Sequence, residues 1–316
     1  MTCTRRSEDQ RKGTFLERRL RQARFQLDDI EYQSDRTESD MKSTAKDRRA
    51  RMSAYAAGLA PDSVRSRQGH RTSAIVLTLA AVLLTLAPAS ASGGVTVSAD
   101  RYHTCAVKTS GKLACWGYDS SGQASPPGGA FRSVSAGGYH TCAVRTSGKL
   151  ACWGFDDYGQ ASPPGGEFRS VSAGGYHTCG VKTSGKLACW GYDGDGQASP
   201  SGGAFRSVSA GESHTCGVKT SGKLACWGLK TDGQASPPGG EFRSVSAGGY
   251  HTCGVEKSGK LVCWGTNGDG QASPPGGEFR SLSAGLAHNC GVEKSGKLTC
   301  WGYDNYGQTD VPPSLD

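Results

Sequence analysis

The sequence predicts an all-β chain made of six short, three-stranded antiparallel units that stack or close into a ring, and three observations carry this. A segment of 37 residues recurs from Val95 onward, most clearly in AFRSVSAGGYHTCAVRTSGKLACWGFDDYGQASPPGGE (Ala130 to Glu167), and self-similarity at such a period marks stacked or ring-closed units. The composition, with 47 Gly, 13 Pro and 35 % hydrophobic residues in 316, favours short strands and many turns over the Leu/Ile stripes of helices. Each unit divides into the strand-like pieces FRSVSAG, HTCGVKT and KLACWG, followed by the Gly/Pro-rich connection GQASPPGG, a pattern of strands separated by turn residues.

Ahead of the repeats, residues 1–71 form a polar, mixed-charge extension, read as a solvated or disordered tail or as the product of a start placed too far upstream, with Met41, Met52 or Val64 as the true one. Residues 72–91 follow as a signal region. Its apolar run AIVLTLAAVLLTLA (Ala74 to Ala87) comes after Arg65, Arg67 and Arg71; it has the length of a signal h-region and is short for a membrane span. Ala89-Ser90-Ala91 offers an A-x-A cleavage site, so the expectation is a secreted or cell-envelope protein cut after Ala91. An uncleaved anchor, the alternative, also leaves the repeats outside. The net charge of +8 does not point to nucleic acid: residues 1–71 hold 17 Lys+Arg against 11 Asp+Glu, leaving 19 against 17 for the rest, so no nucleic-acid partner is expected.

Residues 92–316 are the repeat domain. The second and third pieces of each unit form a hairpin around T-S-G, with Gly111 suited to the left-handed position of a three-residue loop. Counting outward from Lys108 and Lys112 pairs Val107 with Leu113, Ala106 with Ala114 and Cys105 with Cys115. Directly opposed residues have Cα atoms about 4.5 to 5.5 Å apart, which a disulfide tolerates. The spacing therefore yields six structural disulfides: Cys105–Cys115, Cys142–Cys152, Cys179–Cys189, Cys216–Cys226, Cys253–Cys263 and Cys290–Cys300. The thirteenth cysteine, Cys3, precedes the signal, so the exported part has an even count, as an oxidising compartment favours. Metal binding by His103, Cys105 and Cys115 is the competing reading, but zinc sites more often use C-x2-C knuckles; no metal and no cofactor are expected. The histidines that open each hairpin (His103, His140, His177, His214, His251 and His288) are expected to hydrogen-bond backbone, and the Arg of each FRS to bridge blades or strands.

At H-T-C-G-V-x-x-S-G-K-L-x-C-W-G-x-x-x-x-G-Q the chain resembles the regulator of chromosome condensation repeat superfamily, over residues 95–316 and six times. The resemblance implies a β-propeller, here of six three-stranded blades. The 37-residue unit is closest in length to the bacterial β-lactamase-inhibitory protein II type, from which no inhibitor contact can be matched residue by residue. The Asp-Gly turn is Ser-Gly here, the cysteine pairs are additional, and six units stand where those relatives have seven blades. Closure of the ring, with Val95 to Ala99 beside the last hairpin, is the expectation.

Antiparallel strands send the loop after W-G and the link before each His to one end of the blades. That end collects Tyr102, Tyr118, Tyr139, Phe155, Tyr158, Tyr176, Tyr192, Tyr250, Tyr303 and Tyr306, with Asp119, Asp156, Asp157, Asp193, Asp195, Glu212, Asp232, Asp269 and Asp304. Only Arg101 and Lys230 oppose that charge. Rigid aromatics on an acidic rim suit a protein partner and repel phosphates; for any one residue, local turn chemistry is the simpler account. The YDGDGQ and TNGDGQ loops are too short for an EF-hand and lack its terminal Glu. The T-S-G-K end carries a Lys-rich rim, a candidate surface for anionic envelope polymer or lipid or simply a solvated edge. The tryptophans, from Trp116 to Trp301, are read as packing between blades.

No unit breaks the pattern with a nucleophile, base or carboxylate pair that the others lack, so no catalytic residue is assigned. The function expected is an exported, monomeric, non-catalytic module that binds protein. A cell-envelope hydrolase or lyase and, for an intracellular chain, guanine-nucleotide exchange or chromatin-type binding are the alternatives.

Overall fold

A computed structural model describes residues 96–312; the polar extension, the signal region and Cys3 lie outside the described residues. Eighteen strands group into six sheets, each antiparallel and in simple sequential order. Blade 1 holds β1 (Thr96–Ala99), β2 (His103–Val107) and β3 (Leu113–Gly117), and blade 2 holds β4 (Phe131–Ala136), β5 (His140–Arg145) and β6 (Leu150–Gly154). Blade 3 holds β7 (Phe168–Ala173), β8 (His177–Lys182) and β9 (Leu187–Gly191), and blade 4 holds β10 (Phe205–Ala210), β11 (His214–Lys219) and β12 (Leu224–Gly228). Blade 5 holds β13 (Phe242–Ala247), β14 (His251–Glu256) and β15 (Leu261–Gly265), and blade 6 holds β16 (Phe279–Ala284), β17 (His288–Glu293) and β18 (Leu298–Gly302).

Turn chemistry sets the hairpins. Lys108 N–H bonds the Lys112 carbonyl at 2.8 Å, Gly111 N–H returns to the Lys108 carbonyl, and Gly111 sits at φ 77°, where a Cβ is costly. The register that follows pairs Val107 with Leu113, Ala106 with Ala114 and Cys105 with Cys115. All six cysteine pairs are disulfides, with Cα atoms 4.0 to 4.1 Å apart. Their sulfurs are thereby unavailable as thiolate ligands for a metal.

In blades 2 to 6 the first strand carries a bulge at its FRS segment: Phe131 pairs with Arg145 and Ser133 with Val144, leaving Arg132 between them unpaired. A bulge re-aims the extra residue, and Arg132, Arg169, Arg206 and Arg243 each donate through Nη2 to the carbonyl of the Phe that opens the next blade. The expected Arg bridge thus joins blades. The phenylalanines that open blades 2 to 6 (Phe131, Phe168, Phe205, Phe242 and Phe279) are at most 2 % exposed and in blades 3 to 6 meet the blade's own Trp with ring centroids 6.1 to 6.4 Å apart.

A second set of bonds joins successive blades through their histidines. The partner is a side chain of the next blade, which corrects the expectation of backbone bonding. His103 Nε2 lies 2.6 Å from Thr141 Oγ1, and His140, His177 and His214 repeat the contact at 2.7 Å with Thr178, Thr215 and Thr252. Each of these threonines spends its only proton on a carbonyl of the preceding blade, that of Gln123, Gln160, Gln197 or Gln234. Its oxygen is left to accept, so the histidine must donate and carries its proton on Nε2. At the last step Asn289 replaces threonine and does both jobs: Oδ1 accepts from His251 at 2.8 Å while Nδ2 donates to the Gln271 carbonyl. The same glutamine carbonyls also accept the indole N–H of Trp153, Trp190, Trp227, Trp264 and Trp301.

The sixth interface, between blade 6 and blade 1, is not formed among the described residues. β1 pairs with β2 of its own blade, Thr96 opposite Val107, and not with the last hairpin as the sequence suggested. The residues that would have met are open: Trp116 is 54 % exposed and Val97 62 % exposed, and His288 is only partly buried. Gly94 stands where blades 2 to 6 have phenylalanine, so blade 1 lacks the aromatic that anchors its fellows.

Candidate functional site

The loop after each W-G and the link before each His meet at one end of every blade, because the residue after the glycine bonds back to the residue before the histidine. Tyr118 N–H bonds the Tyr102 carbonyl at 2.9 Å, and the bond recurs in all six blades as far as Tyr303 to Ala287. The glycine between is obligatory: a Cβ on Gly117 would stand 2.6 Å from the Tyr102 carbonyl oxygen.

This crossing brings together part of the aromatic set read from the sequence. Tyr118 meets Tyr102 with centroids 5.9 Å apart, Tyr102 meets Tyr139 at 5.4 Å, and Tyr139 stacks on Tyr176 at 5.4 Å. Phe155 bridges Tyr139 and Tyr158, and Tyr158 meets both Tyr176 and Tyr192, the latter at 5.1 Å. Seven rings therefore run unbroken over blades 1 to 3. Tyr303 and Tyr306 form a separate pair on blade 6, 6.1 Å apart. Tyr250, on blade 5, is exposed and joins no other ring among the described residues. The sequence placed ten aromatics on one end, and the fold concentrates seven of them on half of it.

The acidic residues divide in two. Asp119, Asp156 and Asp193 hold their own loops, each Oδ1 accepting the N–H five residues on and each Oδ2 the serine hydroxyl after it. Asp304 accepts the Thr309 N–H in the same way, which lowers its carboxyl pKa below the ordinary range. These four are turn residues first. Asp157, Asp195, Asp232 and Asp269 are exposed, their N–H groups bonded to the Gln side chain of the same loop in the last three cases. Glu212 ion-pairs with Arg101 at 3.0 Å, linking blade 4 to blade 1, and Arg101 also lies 5.9 Å from the Tyr102 ring centroid. One of the two cations expected to oppose the acidic rim is thus neutralised within it.

At the opposite end the lysine rim is partly held by its own blades. Lys257 and Lys294 pair with Glu241 and Glu278, whose carboxyl pKa values fall below the ordinary range for that reason. Arg145, Lys182 and Lys219 lie over Phe131, Phe168 and Phe205.

The glutamine of each G-Q and the threonine of each H-T-C are what sequence reasoning missed. The glutamine side chain fixes the loop, Oε1 accepting the N–H two residues back, while its carbonyl receives the next blade. The signal was present: both recur at fixed offsets, and a histidine meets the threonine 38 residues on, one period plus one.

The model of the regulator of chromosome condensation (RCC1) repeat matches residues 95–123, 131–160, 168–197, 205–234, 242–271 and 279–308. The chain belongs to this repeat family. Its propeller is similar to the CRINKLY WD40 ectodomain of the Arabidopsis thaliana receptor kinase ACR4, with 27 % identity and a TM-score of 0.56 over 67 % of this chain and 81 % of that one. It is similar to the ectodomain of the Physcomitrella patens receptor kinase CR4, with 29 % identity and a TM-score of 0.60 over 69 % and 65 %. Prp20p of Saccharomyces cerevisiae, 16 % identical with a TM-score of 0.61 over 70 % and 74 %, shares the fold. No curated protein sequence matches the chain.

Proposed function

We propose that this RCC1-repeat propeller is an exported, non-catalytic binding module whose aromatic end over blades 1 to 3 receives a protein partner. The observation that carries the reading is the unbroken run of seven rings from Tyr118 to Tyr192 beside the exposed carboxylates of Asp157 and Asp195. Large rigid rings are the usual anchors of protein interfaces, and a charged rim steers and orients the partner. Export is supported by six disulfides, which persist in oxidising compartments, by the signal pattern at residues 72–91, and by the likeness to two receptor ectodomains. A non-catalytic role is supported by the repetition itself: the histidines at the blade junctions donate to threonine or asparagine in the same way at five successive interfaces.

Two measurements test this. Intact mass of the natively exported protein is expected to show a chain beginning near Ser92, with twelve cysteines alkylated only after reduction; a cytosolic chain with free thiols would remove the extracellular reading. Envelope extracts captured on wild-type protein and on a folded Tyr158→Ala/Asp195→Asn variant test the face. Loss of a captured protein with the variant supports it, and equal capture, or loss only on substituting lysines of the opposite rim, refutes it.

A further inference from the structure

The second residue after each W-G is aspartate in blades 1, 2, 3 and 6 (Asp119, Asp156, Asp193 and Asp304), Lys230 in blade 4 and Asn267 in blade 5. The loop is built to seat a carboxylate there. Asp193 takes the Ala198 N–H on Oδ1 at 2.7 Å and the Ser199 hydroxyl on Oδ2 at 2.6 Å, and Asp119 and Asp156 repeat both bonds. Asn267 fills the same seat with an amide: its Oδ1 accepts the Ala272 N–H at 2.8 Å and lies 3.3 Å from Ser273 Oγ, while its Nδ2 donates to Ser273 Oγ at 2.9 Å. One serine thus stands against both heads of the amide, where the carboxylate loops give it a single close acceptor. Of the three asparagines in the chain, Asn267, Asn289 and Asn305, only Asn267 precedes a glycine. Asn267 and Gly268 are exposed, a Cβ on Gly268 would meet nothing within 4 Å, and the Gly268 N–H has no backbone partner among the described residues.

We propose that Asn267 is a self-modifying site, at which the blade 5 loop deamidates to the aspartate that its sister loops already carry. The Gly268 amide nitrogen, giving its proton to solvent base, attacks Asn267 Cγ; the Cγ–Nδ2 bond breaks, ammonia leaves and a five-membered succinimide closes. Water then adds to Cγ, and the bond from Cγ to the Gly268 nitrogen breaks, which restores the backbone and leaves a carboxylate. Water is the one co-reactant, nothing is oxidised or reduced, and amide plus water becomes carboxylate plus ammonium. The loop favours both steps. The Ala272 N–H already bonds the oxygen that turns negative when Cγ becomes tetrahedral, and the Ser273 hydroxyl, beside Nδ2, hands a proton to the departing nitrogen and recovers one from solvent. Glycine at 268 has no Cβ to shield the attacking nitrogen or to restrict its turn toward Cγ. Water attack on the main-chain carbonyl instead would give isoaspartate, with an extra methylene in a backbone pinned by Gly270 N–H to the Asn267 carbonyl and by Thr266 N–H to the Tyr250 carbonyl. The donors on Oδ1 direct water to Cγ, and the aspartate formed is received by Ala272 and Ser273 as Asp193 is by Ala198 and Ser199. The aromatic end thereby gains one negative charge next to the exposed Asp269.

The experiment ages the freshly purified full chain at mildly alkaline pH and follows residue 267 by peptide mapping, with electron-transfer fragmentation to separate aspartate from isoaspartate. A gain of about 1 Da is expected at residue 267 and at neither Asn289 nor Asn305. A synthetic peptide of residues 264–278 supplies the unfolded reference; it is expected to react no faster than the folded chain and to give a larger share of isoaspartate. Gly268→Ala, which has room for its Cβ, is expected to slow the folded chain at least about fivefold. Ser273→Ala is expected to slow it about fivefold, the effect of one hydrogen bond, and to leave the rate of the matching peptide unchanged. Asn267→Asp is expected to coelute with the aged chain on anion exchange. An Asn267 that survives in the folded chain while the peptide deamidates, or a Ser273→Ala chain that ages faster than wild type, shows that the loop guards its amide and overturns the proposal. So does an equal ratio of aspartate to isoaspartate in chain and peptide.

Discussion

Histidine at the head of each of the first five hairpins is a proton donor that must stay neutral. Its Nε2–H is committed to threonine or asparagine, and its Nδ1 is buried with no partner among the described residues. Charging the ring would place an unsolvated cation at the blade junction with no acceptor for the new proton. Burial accordingly lowers the pKa of His140 and His177 to about 3 and that of His214 to about 4, from 6.5; His103, His251 and His288 shift the same way. Between those values and 6.5 the unfolded chain binds protons that the folded chain refuses, so stability is complete above pH 6.5 and falls as the pH drops toward 4. Each fully buried histidine contributes a loss of about 1.4 kcal/mol per pH unit in that window. Urea midpoints are therefore expected to be level from pH 8 to 7 and to fall steeply from 6.5 to 5. A level profile down to pH 5 would show that the rings are solvated.

Within the blade, the hairpin was the part the sequence displayed most openly. Cys105 and Cys115 stand opposite each other because a three-residue turn centred on Ser110 fixes every pair that follows, and this local geometry needs nothing beyond the eleven consecutive positions from one cysteine to the other. The bulge that frees Arg132 and the carbonyl that gathers Thr141 and Trp153 were not legible in the same way, since each depends on how one sheet lies against the next. The aromatic end was legible as a collection of residues and not as a surface: alternation sends Tyr250 and Tyr139 to the same end, but only packing decides that Tyr139 has rings on both sides. Glycine illustrates the same divide. Gly191 and Gly196 both have positive φ, 99° and 79°, and look alike in the sequence. A Cβ on Gly191 would stand 2.8 Å from the Tyr176 carbonyl oxygen and 2.9 Å from His177 Cα and Gln160 Cβ, whereas one on Gly196 would meet nothing within 4 Å. Gly196→Ala is expected to cost only the left-handed backbone strain, about 1 to 2 kcal/mol. Gly191→Ala adds a clash with backbone that cannot yield and is expected to exceed it by about 2 kcal/mol; equal denaturation midpoints for the two variants would remove the close approach.

Across the whole molecule, stability is a sum of blades and of the interfaces between them, and the blades do not share those interfaces equally. In such a series each unit leans on its neighbours, so units with one neighbour open more readily than units with two. Blades 2 to 5 are each held from both sides by the histidine relay, the indole bond and the serine bond, while blades 1 and 6 are held from one. Their packing differs accordingly: β8 is buried along His177–Val181, whereas His288, Cys290 and Val292 of β17 remain partly exposed. The disulfides do not compensate, because each closes a loop inside its own blade and none crosses to another. Backbone hydrogen exchange is thus expected to be graded along the chain, with amides of β17 and β18 and those of β2 and β3 exchanging ahead of their counterparts in β8 and β9. The gradient is set by the open sixth interface. Uniform protection of all six blades in the free chain would mean that His288 already has its threonine, in Thr104, and that the ring is sealed.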